Sequence, residues 1–189
     1  MAGPNGSGKS TLVQSGTLGR HVGALPKLYL NPDDIVLEIR QWAQSGSELE
    51  ILRQAQDRSD SLVDRAIREG TDFAVETVLS SGKFRPKVAT AIAAGFRFGF
   101  VFVTLQSGHL NIGRVAQRVA LGGHDVPTGR ILARRQRAHA AFGWFALQAH
   151  FGLLFDNSVQ PVLVAEKPLT AAAWTIHLPS LHPDLTGQL

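Results

Sequence analysis

The sequence has 189 residues, of which 44% are hydrophobic and 18% are charged, so it indicates one globular domain, residues 1–189, and excludes a disordered or fibrous chain. It contains no cysteine, which excludes disulfides and a cysteine nucleophile. It has no apolar run near the ~18 residues of a membrane span and does not begin with a basic region followed by an apolar one, which excludes a spanning helix and a secretory signal. Together these features favour a cytoplasmic protein without a membrane partner. The net charge of +4 and the pI near 10.0 favour a polyanionic ligand.

Helical and strand patterns alternate along the chain. In chain order they predict a helix over residues 9–14, a strand over 27–30, helices over 33–42 and 47–68, a strand over 71–79, a helix over 85–94, a strand over 99–105, helices over 111–121 and 128–149, and strands over 152–155 and 161–165. Pro32 stops the first strand, Ser47 and Glu50 form a capping-box pattern, and Gly70 ends the longest early helix. This alternation predicts an α/β fold in three layers, a parallel sheet with helices on both faces.

Residues 3–10 match the phosphate-binding pattern G-x-x-x-x-G-K-[ST]. Its glycines allow positive φ angles, so that consecutive N–H groups reach a phosphate at the start of a helix. We expect Lys9 to contact the outer phosphates and the Ser10 hydroxyl to complete a magnesium shell, so the ligands are ATP and Mg²⁺. The alternative, a chance glycine-rich turn, does not explain why the motif opens a helix. The predicted nucleotide-binding residues are Gly3, Pro4, Asn5, Gly6, Ser7, Gly8, Lys9, Ser10 and Thr11.

The strand that normally leads into such a loop is almost absent. Only Met1 and Ala2 precede Gly3, so we expect the first, central strand of the sheet to be largely missing from residues 1–189. Residues 173–178 (Ala-Trp-Thr-Ile-His-Leu) are a candidate replacement. Without one, main-chain groups on the two neighbouring strands lose hydrogen-bond partners, at ~1–3 kcal/mol each.

Acidic residues follow two of the predicted strands, at the edge where open α/β sheets bind ligands. Asp33 is placed to accept the proton of a hydroxyl that attacks the γ-phosphate. The alternative is that Asp33, like Asp34, is only an acid in the first turn of a helix. Glu76 either holds substrate, binds magnesium through water or is a polar strand end.

Two predicted helices carry a cluster of arginines on either side of a Gly-Gly-His-Asp-Val-Pro turn at residues 122–127. Helices around a glycine hinge can form a lid whose guanidinium groups neutralise a triphosphate. A solvated face and a nucleic-acid backbone site are the alternatives; no aromatic residues interleave here to stack bases, which argues against nucleic acid. His124 in the turn is expected to be structural. The cluster consists of Arg114, Arg118, Arg130, Arg134, Arg135 and Arg137.

Five segments occur in order: residues 2–12, Tyr-Leu-Asn-Pro-Asp at 29–33, Phe-Ala-Val-Glu-Thr at 73–77, the arginine helices at 114–134 and Asp-Asn-Ser at 156–158. Together they resemble the zeta-toxin family of nucleotide-sugar kinases, in a branch with Asn-Pro-Asp in the second motif. The resemblance implies a P-loop NTPase sheet with a helical arginine lid. It also implies ATP- and Mg²⁺-dependent phosphorylation of a hydroxyl on a small molecule, with UDP-N-acetyl sugars as the family substrate.

The resemblance implies a role for each matching residue. Asp33 would be the base and Ser10 the metal ligand, while Asn157 would lie near adenine. The implied catalytic residues are Lys9, Asp33, Arg118 and Arg134, and the implied substrate contacts are Asn31, Asp33, Glu76 and Thr77. A toxin role would imply an antitoxin protein as partner. The alternative function is a nucleotide-binding regulatory or nucleic-acid-associated module without kinase activity.

Overall fold

Helices and strands alternate over most of the chain in the computed structural model, which describes residues 1–42, 47–123 and 125–189. The strands are β1 Leu28–Leu30, β2 Phe73–Val75, β3 Gly99–Thr104, β4 Phe151–Asp156, β5 Val162–Lys167 and β6 Thr175–Ile176. The helices are α1 Lys9–Gln14, α2 Gly19–Val22, α3 Pro32–Trp42, α4 Glu48–Glu69, α5 Phe84–Ala93, α6 Gly108–Ala120, α7 Thr128–Gln148 and α8 Pro183–Thr186.

Local signals set the ends of the long helices. The predicted capping box begins α4: the Glu50 N–H donates to Ser47 Oγ (3.3 Å) and the Ser47 N–H donates to Glu50 Oε2 (2.7 Å). Gly70 ends the same helix at a φ of 65°. Helix α6 begins earlier than predicted because Ser107 caps it. None of the helices in the described ranges is long and apolar enough to cross a membrane.

The central strands are parallel, which confirms the predicted α/β fold. β1 pairs with β2 in parallel, and β3 pairs with β4 in parallel. β5 and β6 instead add antiparallel to the β4 edge. The reason is connection length, because the five residues 157–161 between β4 and β5 form a hairpin but are too few for a parallel crossover.

Helices cover both faces of the sheet, as the alternating side chains of β3 require. Phe100 and Phe102 pack against Phe142 on α7, whereas Val101 and Val103 pack against Leu12 on α1. Phe142 is fully buried. A strand with apolar residues on both faces needs a helix layer on each side, so β3 is the centre of the three-layer core.

The replacement proposed for the first strand is wrong. Thr175–Ile176 pairs antiparallel with β5 at the opposite edge of the sheet, since Trp174 packs its ring on Gly152 of β4 and the chain continues along β5. The first residues themselves stand between β2 and β3, where Ala2 bridges Thr77 on one side and Phe102 on the other. The sheet is therefore continuous at the phosphate-loop end, through residues 1–3 alone.

Strand β2 is shorter than predicted. The Thr77 hydroxyl accepts from the Leu79 N–H (3.1 Å), and Leu79 takes a positive φ of 59°. A branched-chain residue in this left-handed conformation turns the backbone away from the sheet, so the strand stops before residue 79. The turn leaves Glu76 and Thr77 at the carboxyl edge of β2.

Candidate functional site

The phosphate loop, residues 3–10, has the backbone that its motif predicts. Gly3, Gly6 and Gly8 have φ angles of 147°, 71° and 87°. A Cβ on Gly3 would collide with the Val103 carbonyl oxygen, so glycine is required there for close approach to β3. Gly8 leads directly into α1, so the first-turn N–H groups of this helix are placed to donate to a phosphate held in the loop.

Lys9 lies folded over the loop and is buried. Its ammonium donates to the carbonyl oxygens of Gly3 (3.0 Å) and Pro4 (3.3 Å). Burial lowers the pKa of Lys9, while the carboxylates of Glu76 and Asp33 act to raise it. The loop therefore holds a desolvated cation that gains from an anionic ligand.

Glu76 contacts three other residues of the site. Its carboxylate accepts from the Ser10 hydroxyl (3.0 Å to Oε1) and from the Tyr29 hydroxyl (2.9 Å to Oε2), and lies 3.9 Å from Lys9 Nζ. Burial and this carboxylate raise the pKa of Tyr29, so the phenol stays a donor. Tyr29, the one tyrosine of the sequence, had no predicted role.

The Ser10 hydroxyl and the Glu76 carboxylate fit a magnesium ion. Both offer hard oxygen atoms, and they already lie within hydrogen-bond distance of each other beside the loop. Within the described ranges no group of three or more His, Asp or Glu residues is arranged to hold a metal. An ion at Ser10 would therefore complete its shell with phosphate oxygens and water.

Two acids of the first turn of α3 reach the same region. The Asp33 N–H donates to Asn31 Oδ1 (3.1 Å). Burial lowers the pKa of Lys9 and of Arg134, and the Asp33 carboxylate is close enough to both to oppose this lowering. Partial burial raises the pKa of Asp34, and the Glu76 carboxylate adds to this rise. The sequence predicts a catalytic role for Asp33 and only a helix-start role for Asp34, whereas both carboxylates lie near the loop.

Three of the clustered arginines converge on the phosphate loop. Arg134 donates to Asn5 Oδ1 (3.4 Å), and Arg114 donates to the Ser158 carbonyl (3.0 Å). Arg118 is near enough to Lys9 to lower its pKa. Burial lowers the pKa of Arg134, with a contribution from neighbouring arginines. These contacts favour a lid over a merely solvated face.

The other arginines of the cluster differ in role. Arg135 bonds His139 Nε2 (2.6 Å) and the Leu105 carbonyl (2.9 Å), and Arg137 donates to the Ser80 carbonyl (3.0 Å). Both thus anchor α7 to the body of the protein. His124, expected to be structural, lies outside the described residues.

Two asparagine side chains donate hydrogen bonds to the main chain of the phosphate loop. Asn111 on α6 donates its amide to the Asn5 carbonyl (2.7 Å), and Asn157 donates to the Ser7 carbonyl (2.9 Å). Sequence reasoning missed Asn111, because no local pattern links it to a loop 106 residues away. A contact between Asn157 and adenine stays a prediction, as does substrate contact by Thr77, whose hydroxyl serves the turn at Leu79.

Solved structures with similar folds share little sequence with this chain. The crystal structure of AvrRxo1-ORF1:-ORF2 with ATP superposes with a TM-score of 0.72 over 98% of this chain at 15% identity, and this chain spans 62% of that one. The form of the same complex with sulphate ions has a TM-score of 0.67 at 16% identity, with the same coverage of 98% and 62%. The Pnkp1/Rnl/Hen1 RNA repair complex has a TM-score of 0.51 at 15% identity over 91% of this chain and 48% of that chain.

These likenesses establish the fold. No curated protein matches the sequence. A family model does match: residues 1–141, which include the phosphate loop, both acid-bearing strand ends and the arginine helices, fit the AAA domain model AAA_33. The chain therefore belongs to this AAA domain family and has a P-loop kinase-like fold.

Proposed function

We propose that this protein is an ATP- and Mg²⁺-dependent phosphotransferase that phosphorylates a hydroxyl of a small molecule. One observation carries the proposal: the Asp33 carboxylate lies within electrostatic reach of Lys9, the cation inside the phosphate loop. A base for the attacking hydroxyl and a clamp for the transferred phosphoryl group would then lie at the same end of the sheet.

The proposed roles follow from charge and position. Asp33 takes the proton of the acceptor hydroxyl, and Lys9 with the loop N–H groups holds the outer phosphates. Arg118 and Arg134 neutralise the charge that spreads over the phosphoryl oxygens. Magnesium, when bound at Ser10 and Glu76, supplies further neutralisation of the phosphate oxygens.

The finer proposal is a zeta-toxin-like kinase with a UDP-N-acetyl sugar as acceptor. It is supported by the ordered motifs, in which Asn31, Glu76 and Thr77 follow the ends of adjacent strands. The AvrRxo1-ORF1:-ORF2 complex, similar in fold, was crystallised with ATP and with a second component. By analogy we propose ATP as the donor and an antitoxin-like protein as a partner of this chain.

Exchange of one carboxylate tests the chemistry. We expect Asp33→Asn to reduce phosphoryl transfer by a factor of ~10² or more, the size of a general-base effect, with ATP affinity unchanged. Asp34→Asn is the matched control, because it removes the neighbouring charge on the same helical turn and should leave most of the activity. Steady-state rates with labelled ATP and calorimetric ATP titration measure the two quantities.

Two further outcomes define the limits of the proposal. Equal turnover by Asp33→Asn and the unchanged protein would refute the role of Asp33 as base. ATP binding without transfer to UDP-N-acetylglucosamine or to any other hydroxyl acceptor would instead favour the regulatory module. Lys9→Ala serves as the binding control, since it should weaken ATP binding itself.

A further inference from the structure

A turn at the end of β4 contacts two groups of the proposed nucleotide site. It consists of Asp156, the last residue of β4, with Asn157 and Ser158. The Asn157 amide donates to the Ser7 carbonyl of the phosphate loop (2.9 Å). The Ser158 carbonyl accepts from the Arg114 guanidinium on α6 (3.0 Å). The turn therefore determines where an amide and an arginine lie beside the loop.

Both of these groups lie against Gly8. A Cβ on Gly8 would collide with the Asn157 side-chain nitrogen, and it would lie 3.6 Å from Arg114 Nη1. Gly8 is the residue that leads into α1, where the loop is placed to hold a phosphate. A shift of the turn would therefore move two side chains that touch the phosphate loop itself.

The Asp156 carboxylate fixes the shape of the turn. Its Oδ1 accepts from the Ser158 N–H (3.0 Å), and its Oδ2 accepts from the Ser158 hydroxyl (2.9 Å). The Ser158 hydroxyl oxygen accepts in turn from the Gln106 N–H (2.8 Å), which ties the turn to the connection between β3 and α6. Because the carboxylate is buried, it needs donors that replace the water it has lost.

His182 supplies such a donor from the C-terminal segment. Its Nε2 lies 2.7 Å from Asp156 Oδ2, and the two side chains are only 4% and 5% exposed. Because a carboxylate only accepts hydrogen bonds, the hydrogen of the imidazole is on Nε2. A buried hydrogen bond to a charged group is among the stronger contacts in a protein, so His182 restrains the carboxylate and the turn that it shapes.

The backbone at His182 is strained where it makes this contact. Its φ of 129° is one of two positive φ angles among the non-glycine residues in the described ranges. The His182 carbonyl accepts from the N–H groups of Leu185 and Thr186 (both 2.9 Å), which holds the residue in this conformation. Strain of this kind persists where the surroundings require it, and it is common at functional sites. A glycine would suit the backbone better, so the imidazole is the reason for a histidine here.

We propose that His182 is a positioning residue for nucleotide binding, which acts through the Asp156 carboxylate. With the carboxylate held, the turn keeps Asn157 and Arg114 in contact with the phosphate loop. This role depends on the part of the proposed function that places ATP at the loop, and not on the identity of the acceptor. His182 lies beyond residues 1–141, the part of the chain that fits the family model.

Two substitutions of His182 separate positioning from folding. His182→Gly removes the imidazole but relieves the positive φ, so we expect it to fold and to bind ATP about tenfold more weakly. His182→Gln keeps an N–H donor near the position of Nε2, so its ATP affinity should stay within about threefold of that of the unchanged protein. Calorimetric titration with ATP and Mg²⁺ measures both affinities. In a transfer assay the glycine variant should raise the KM for ATP and leave kcat unchanged, because His182 acts on binding alone.

Gln188→Ala is the matched control in the same C-terminal segment. The Gln188 side chain accepts from the Gly143 N–H (2.9 Å) and donates to the Asp184 carbonyl (2.6 Å), and neither contact involves Asp156. We expect this variant to lower the thermal midpoint, because it loses buried hydrogen bonds, and to keep the ATP affinity of the unchanged protein.

Hydrogen exchange without nucleotide gives a second measurement. The Ser158 and Gln106 amides donate within the turn and to it, so they should exchange faster in His182→Gly and at the original rate in His182→Gln. This comparison remains informative whatever the affinity of the protein for ATP.

Three results would overturn the proposal. The first is equal ATP affinity for His182→Gly and the unchanged protein, and the second is an equal loss for the glycine and glutamine variants. The third is a loss of affinity in Gln188→Ala as large as that in His182→Gly, which would make the role of His182 merely structural. Failure of the unchanged protein to bind ATP would instead refute the proposed function, and this role with it.

Discussion

At the residue scale, Glu76 shows how much one buried carboxylate organises. It accepts hydrogen bonds from Ser10 and Tyr29 and faces the ammonium of Lys9. A buried charge is tolerated only when it is paired and hydrogen-bonded, which the three partners achieve together. The orientation of Glu76 toward Ser10 thus depends on Tyr29, which lies on a different strand.

This dependence gives a prediction for Tyr29→Phe. Removing the hydroxyl should loosen Glu76 and raise the Mg²⁺ concentration for half-maximal ATP hydrolysis or transfer several-fold, with a stability loss of about 1 kcal/mol. Activity at saturating Mg²⁺ serves as the internal control and should recover. An unchanged Mg²⁺ dependence would show that Tyr29 does not orient Glu76.

Sequence reasoning found the residues of the site that sit in local patterns, and missed those that depend on distant contacts. The phosphate loop follows from its residue pattern, and the acids follow from their places just after the predicted strands β1 and β2. Tyr29 sits in a strand and Asn111 in a helix, and each acquires its role only from a partner far along the chain. Such pairings arise from tertiary packing, which local periodicity does not encode.

At the element scale, α6 holds the phosphate loop in place. Its buried Asn111 bonds the Asn5 carbonyl, and its Val115 lies against Gly6. Helix α7 is fixed in turn by the C-terminal segment. His139 Nδ1 donates to Asp184 Oδ2 on α8 (2.7 Å), and the Gly143 N–H donates to the side chain of Gln188, just after α8 (2.9 Å). Helices α6 and α7 are therefore anchored by residues near both ends of the sequence.

Helix α6 carries the prediction at this scale. Asn111→Ala leaves the Asn5 carbonyl without its donor, so we expect ATP affinity to fall about tenfold, equivalent to ~1.4 kcal/mol. Gly113→Ala on the same helix is the matched control, because a Cβ there meets open space and alanine is the better helix former. Calorimetric titration of both variants with ATP checks the difference; equal affinities would exclude a bracing role.

Sequence reasoning missed α8 and gave residues 173–178, which contain β6, the wrong place in the sheet, and the two errors share a cause. α8 and β6 are short, and their residues lack a helical or strand period. Their positions follow from side chains that dock on existing elements, as Trp174 does on Gly152. The long helix α4, in contrast, carries its own capping box, and both α4 and α7 begin and end close to the predicted residues.

At the scale of the whole molecule, the strands form two parts, β1 with β2 and β3 to β6, which differ in burial. Phe102 and Val103 of β3 are fully buried, whereas all three residues of β2 are half-buried. A part of the fold with fewer buried apolar contacts opens at lower free energy. The part formed by β1 and β2 is therefore expected to open separately from the remainder.

Hydrogen exchange checks this expectation. We expect β2 amides to exchange faster than β3 amides, and ATP with Mg²⁺ to slow exchange in β2 by ordering Ser10 and Glu76. Amides of the β4–β5 hairpin, remote from Glu76, are the control and should change little. Equal protection of β2 and β3 without nucleotide would show that the sheet opens as one unit.

One carboxylate links the two parts across the fold: Glu76 of the β1–β2 part grips Ser10, which follows the loop into α1 on the β3 side. Nucleotide binding to the loop and closure of the sheet are therefore thermodynamically coupled. Linkage makes the two effects equal: if a bound nucleotide favours the closed arrangement of the two parts by some factor, closure of the two parts raises the affinity for the nucleotide by the same factor.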